Sequence, residues 1–220
     1  MSQRLPRDVE EVCIEPEGLA GLLGVPARAG GVVIFAHGSG SGRLSPRNNH
    51  VAGALRRAGL ATFLLDLLTP DEERERRNVF DIDLLTSRLI LATKWTAKNP
   101  ETAELLPGYF GASTGAGAAL KAASLPDSKV AAIVSRGGRP DLVLDALPMV
   151  RAPTLLLVGS LDGLVIGMNQ RAFDALTCEK RLVIVEGASH LFKEPGKLDE
   201  VVRHATDWFE FHPRRSADAG

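Results

Sequence analysis

Short apolar runs alternate along this chain with longer stretches whose apolar residues recur at helical spacing. That alternation predicts an α/β fold, a mostly parallel sheet covered by helices on both faces. Residues 12–15 and 19–24, separated by Pro16-Glu17-Gly18, read as an opening antiparallel hairpin. The run GVVIFA at 31–36 has no polar alternation, so both of its faces should be buried. Residues 61–65, 109–112, 130–135, 154–158 and 182–185 complete a series of about eight strands. Helices are expected at 46–58, 79–98, 113–123, 142–147, 167–176 and 198–211. In the second of these, Leu84, Leu85, Leu89, Leu91 and Ala92 give the helix an apolar face. The run Asp71 to Arg77 is dense in charge but mixed in sign, and reads as a solvated loop or helix start.

The length of 220 residues points to a single domain over 1–212, followed by a disordered tail at 213–220. A chain of this size buries about 70% of its extended surface in one core without needing a disulfide staple. Cys13 and Cys178 are the only cysteines; their separation fits neither a zinc site nor a redox pair, and they read as small apolar or incidental residues.

Twenty-six basic and 27 acidic residues leave a net charge of −1, which removes any overall pull toward nucleic acid or anionic membranes. A small molecule is the expected partner. The first ten residues are charged and lack an apolar signal core, and no 18-residue apolar run follows, so a cytoplasmic location is expected.

Candidate chemistry centres on Gly111-Ala112-Ser113-Thr114-Gly115, a G-x-S-x-G motif between an apolar run and an alanine-rich helix. Such spacing holds a serine hydroxyl up at a sharp strand-to-helix turn, with small residues where backbones must approach. Serine is a poor nucleophile at neutral pH. It needs an imidazole to take its proton and a carboxylate to fix the imidazole's tautomer. Among the five histidines, His190 follows the last strand in a short loop, at the sheet end where open α/β sheets build their sites. His50, His204 and His212 lie in or beside expected helices.

Asp162, past a glycine turn after the strand at 154–158, is the expected acid; the order Ser113, Asp162, His190 is the one this turn motif calls for. Asp141 is its rival, and helix capping is the structural alternative for either aspartate. Amide donors for an oxyanion are expected from Thr114 and from Ser39 in the loop His37-Gly38-Ser39-Gly40-Ser41-Gly42, which His37 braces. That glycine loop lacks the lysine spacing of a phosphate loop and contains no G-x-G-x-x-G, which argues against nucleotide binding.

Taken together, HGSGSG at His37, GASTG at Ser113, VGSLDGLV around Asp162 and GASHLF around His190 resemble the α/β-hydrolase superfamily, and within it the dienelactone hydrolase-like group. The resemblance covers nearly the whole chain. It implies a compact hydrolase acting on an ester or lactone, without metal or organic cofactor. Dienelactone hydrolases proper carry a cysteine nucleophile, and the serine at 113 points instead to a general serine esterase working through an acyl-enzyme. The same fold could also host an acyltransferase, a peptidase or a non-catalytic binding module.

Loops after residue 130 are too short for a helical lid, so the pocket should be open and shallow, suited to small acyl groups. Arg136, at another strand end, is a candidate for holding an anionic substrate. Arg47 and Asp66 are weaker candidates.

Overall fold

A computed structural model describes residues 9–212. The expected tail at 213–220 lies outside the described residues. Eight strands form one sheet in the order β1-β2-β4-β3-β5-β6-β7-β8. The hairpin β1 (Glu10–Ile14) and β2 (Leu19–Gly24) is antiparallel, and β2 joins β4 (Ala61–Leu65) antiparallel as well. From β4 onward, β3 (Val32–Ala36), β5 (Pro107–Ala112), β6 (Ala132–Arg136), β7 (Thr154–Gly159) and β8 (Lys180–Val185) run parallel. Their carboxyl ends therefore open on one edge of the molecule, where the loops carrying Ser39, Ser113, Asp162 and His190 converge.

The period of two along each strand divides the core between the two faces. Ile34, Phe63, Tyr109, Ile133 and Leu156 belong to one apolar layer, with residues of α3 (Ile82–Thr96) and α4 (Thr114–Ala123). Phe35, Leu64, Phe110, Val134 and Leu157 belong to the other, under α1 (Pro46–Arg57) and α6 (Lys197–Phe211). Gly108 on β5 leaves room for the Phe209 ring of α6, since a Cβ there would stand 2.8 Å from it. Phe209 is fully buried, and truncating it to alanine is expected to cost about 3–5 kcal/mol in urea unfolding. A change below about 1 kcal/mol would mean that α6 is not docked as described.

Differences from the sequence-based elements have local causes. The helix expected at 79–98 is split by Asp81, whose side chain accepts from the Leu84 N–H and starts α3 after a single 3₁₀ turn. The charged run begins with a short helix, α2 (Pro70–Arg74), closed by a Thr69–Glu72 capping box. The segment expected to be helical at 142–147 is 3₁₀-like from Pro140 to Met149, broken at Val143 and carrying Pro148. α5 (Gly163–Ala175) starts four residues earlier than expected, directly after Asp162. Cys13 is exposed and Cys178 half-buried; both are free thiols. No helix among the described residues is long and apolar enough to cross a membrane.

Candidate active site

The turn from β5 into α4 is strained. Ser113 has φ 50° and ψ −122°, a conformation that L-residues rarely adopt and that costs on the order of 1–3 kcal/mol. Backbone bonds hold it there: the Arg139 and Ala116 N–H groups donate to the Ser113 carbonyl at 3.0 and 3.1 Å, and the Ser113 N–H reaches the Arg136 carbonyl at 3.4 Å. The flanking glycines let neighbouring backbones approach more closely than any Cβ would allow. A Cβ at Gly111 would stand 2.5 Å from Ala116 Cα, and one at Gly115 would stand 2.1 Å from the Ala36 carbonyl oxygen. Gly115→Ala is therefore expected to cost about 3 kcal/mol or more in chemical denaturation, because the obstacle is backbone and cannot rotate away. A near-neutral result would show that β3 and the elbow are not in this contact.

Asp162 caps α5 by position, yet its side chain makes no capping bond. Its carboxylate instead accepts a 2.6 Å hydrogen bond from His190 Nδ1–H, which leaves Nε2 as the basic nitrogen. The rival acid, Asp141, is held in a two-point bond by Arg139 at 2.8 Å on each oxygen. Those hydrogen bonds keep the Asp141 carboxyl below the usual carboxylate range.

The two loops that carry the Asp162–His190 pair are tied together. The Leu161 N–H donates to the Ala188 carbonyl at 3.0 Å, the Ser160 hydroxyl accepts from the Gly187 N–H at 2.8 Å, and Glu194 accepts from the Ser189 N–H at 3.0 Å. His190 rests against Gly137, whose φ of 51° and missing side chain make the space; a Cβ there would stand 3.4 Å from the ring. Asn169, buried on α5, fixes the same turn by donating to the Gly138 carbonyl at 3.1 Å.

Ser113 and His190 thus flank the 136–137 turn from two sides. Among the described residues the Ser113 hydroxyl has no hydrogen-bond partner, so no serine–histidine bond is formed. Catalytic hydrogen bonds often tighten only with substrate present. The His190 side chain is 40% exposed and that of Asp162 16%, and no lid element among the described residues covers them. Leu161, Leu164 and Leu191, neighbours of the pair in sequence, are exposed and give the rim apolar character.

Behind the serine lies the glycine loop. The His37 ring accepts from the Leu67 N–H at Nε2 (2.9 Å) and donates from Nδ1 to the Gly38 carbonyl (3.0 Å), so it ties the loop to the end of β4. Gly38 passes directly over the serine: a Cβ on it would stand 2.7 Å from Ser113 Cβ. Ser39 and Thr114 line one small void beside it, and neither backbone N–H has an acceptor among the described residues. Asp66 accepts from the Arg43 N–H at 2.6 Å and pairs with the Arg43 guanidinium, so its role is to close the glycine loop.

Arg136 does not extend outward from the strand end. It is 8% exposed, lies over the Phe110 ring at 5.7 Å on the α1 side of the sheet, and donates from Nη2 to Asn48 Oδ1 at 3.3 Å. Burial, with Arg47 nearby, pushes its pKa down to about 10. Sequence reasoning missed Asn48, Asn169 and Gly137 as supporting residues. A glycine just past a strand end was the only signal any of them carried.

An eight-stranded, mostly parallel sheet with this elbow, glycine loop and aspartate–histidine pair defines an α/β hydrolase. A dienelactone hydrolase from Anabaena variabilis is 53% identical and superposes with a TM-score of 0.90, covering 94% of this chain and all of that one. The chain belongs to the dienelactone hydrolase family. A cold-adapted esterase from an Arctic intertidal metagenomic library shares the fold at 15% identity and a TM-score of 0.73, over 93% of this chain and 96% of its own. Two Mycobacterium tuberculosis proteins named "Putative phosphoribosyl transferase" are 57% identical over 207 residues, which is 94% of this chain and 47% of each relative. The chain thus spans about half the length of these curated relatives. No family model matches it.

Proposed function

We propose that the chain is a serine hydrolase of small carboxylic esters or lactones. In this reading Ser113 Oγ attacks the substrate carbonyl carbon while His190 Nε2 takes the hydroxyl proton. Asp162 holds the imidazole in the correct tautomer and stabilises the imidazolium that forms. The Ser39 and Thr114 N–H groups donate to the developing oxyanion. Collapse of the tetrahedral intermediate expels the alcohol, which receives its proton from His190; in a lactone the alcohol stays tethered to the acyl group. Water, deprotonated by the same nitrogen, then attacks the acyl-enzyme and releases the acid.

The observation that carries this reading is the 2.6 Å Asp162–His190 bond, formed by a carboxylate that passes over its own helix cap. The half-exposed His190 ring and the lack of a covering lid among the described residues favour short acyl groups over long lipid chains. The lactone named for the Anabaena relative belongs in a substrate panel, although the serine at 113 makes general esters the first choice. The transferase name attaches to proteins about twice as long, of which this chain matches 47%.

The test is labelling with a fluorophosphonate, followed by a panel of short-chain esters and lactones. Labelling at Ser113 with turnover falling as the acyl chain lengthens is the expected result. Neither labelling nor turnover would leave a binding module as the better reading, and highest activity on long-chain lipid esters would overturn the size preference.

A further inference from the structure

We propose that Arg47 and Arg136 form a binding site for a small oxyanion, a carboxylate or phosphate group, where α1 meets the carboxyl end of β6. The other partly buried arginines at this end of the sheet have acidic partners: Arg43 with Asp66, Arg139 with Asp141, and Arg88 with Glu72 and Glu17. Arg136 and Arg47 have none among the described residues. Arg136 Nη1 is fully enclosed and without an acceptor, and so is Arg47 Nε. The Arg136 Nη2 bond to Asn48 goes to a neutral acceptor that brings no counter-charge, and the Phe110 ring supplies only a modest cation–π attraction.

A buried charge without a counterion is costly, and a second positive charge beside it adds repulsion. That repulsion is the reason Arg47 helps hold the Arg136 pKa down. An oxyanion removes both penalties at once. It offers acceptors to the orphaned N–H groups, and the planar guanidinium presents paired donors to it.

Access exists on the Arg47 side. Arg47 lines a cavity of about 430 Å³ together with residues 40–46, Asp66 and Glu73. Asp66 is taken up by Arg43, and Glu73 is exposed on α2. The proposed site needs no participation by Ser113 or His190. It therefore stands or falls independently of the esterase reading.

The experiment is titration of the purified chain with inorganic phosphate and, separately, acetate at constant ionic strength, followed by calorimetric heat and by the midpoint of thermal unfolding. Saturable binding of at least one anion is expected, with Arg47→Ala weakening it about tenfold or more. Arg57→Ala, which removes an exposed charge from the other end of α1, should bind as wild type does. A response to phosphate alone or to acetate alone would assign the oxyanion class. Arg136→Met should lose binding as well; if it fails to fold, Arg47→Ala decides. No saturable response to either anion, or equal binding by wild type and Arg47→Ala, would overturn the proposal.

Discussion

Ser113→Ala is expected to lower short-ester turnover by about 10⁴-fold or more and to abolish fluorophosphonate labelling, while the unfolding midpoint stays the same or rises. In the proposed mechanism the activity loss follows from removing the hydroxyl oxygen that forms the acyl bond. The stability outcome follows from the elbow. A residue at φ 50° is strained whether it carries a hydroxyl or a methyl group, and the Ser113 hydroxyl has no hydrogen bond to lose. Measuring both on one preparation separates chemistry from folding. Residual turnover within about tenfold of wild type would place the nucleophile elsewhere.

Asp162→Asn should cost nearly as much, about 10⁴-fold in kcat with KM little changed, the size of effect seen when a triad carboxylate becomes an amide. An asparagine amide presented to Nδ1 favours the wrong imidazole tautomer, with the proton on the nitrogen that should act as base. The change is isosteric, and the carboxylate makes no capping bond in α5, so the fold should survive. The split between kcat and KM supplies the second readout: a merely structural role for Asp162 would lower stability and disturb KM along with kcat, whereas loss of the imidazolium's partner falls on kcat. If Asp141→Asn proved the more damaging change, the acid would have been misassigned, although the Arg139 pair already occupies both Asp141 oxygens.

Most of the architecture was legible because buried parallel strands leave apolar runs with few competing interpretations. Ser113, Asp162 and His190 were legible because each follows such a run within a few residues, so placing the strand places the side chain. What could not be read depends on contacts distant in sequence. Nothing in Arg136-Gly137-Gly138 says that the arginine turns toward Asn48, 88 residues earlier, while the glycine turns toward His190. Likewise, the sequence reading starts the helix after β7 at 167, whereas α5 begins at Gly163. In the fold Gly163 and Gly167 face open space, and the helix passes through them at only the ordinary entropic cost of glycine.

The closeness of backbones around Ser113 divides the site by its tolerance to change. Gly38, Gly111 and Gly115 sit where even one methyl group would strike main chain or the Ser113 side chain, so drift at those positions would meet immediate loss of fold. The leucines at 161, 164 and 191 are exposed and belong to neither apolar core layer. A lineage carrying this elbow can therefore alter what it admits by exchanging rim side chains singly, each at small stability cost, while the reacting geometry stays constant. That separation gives a physical route by which substrate range could change while the elbow backbone stays fixed.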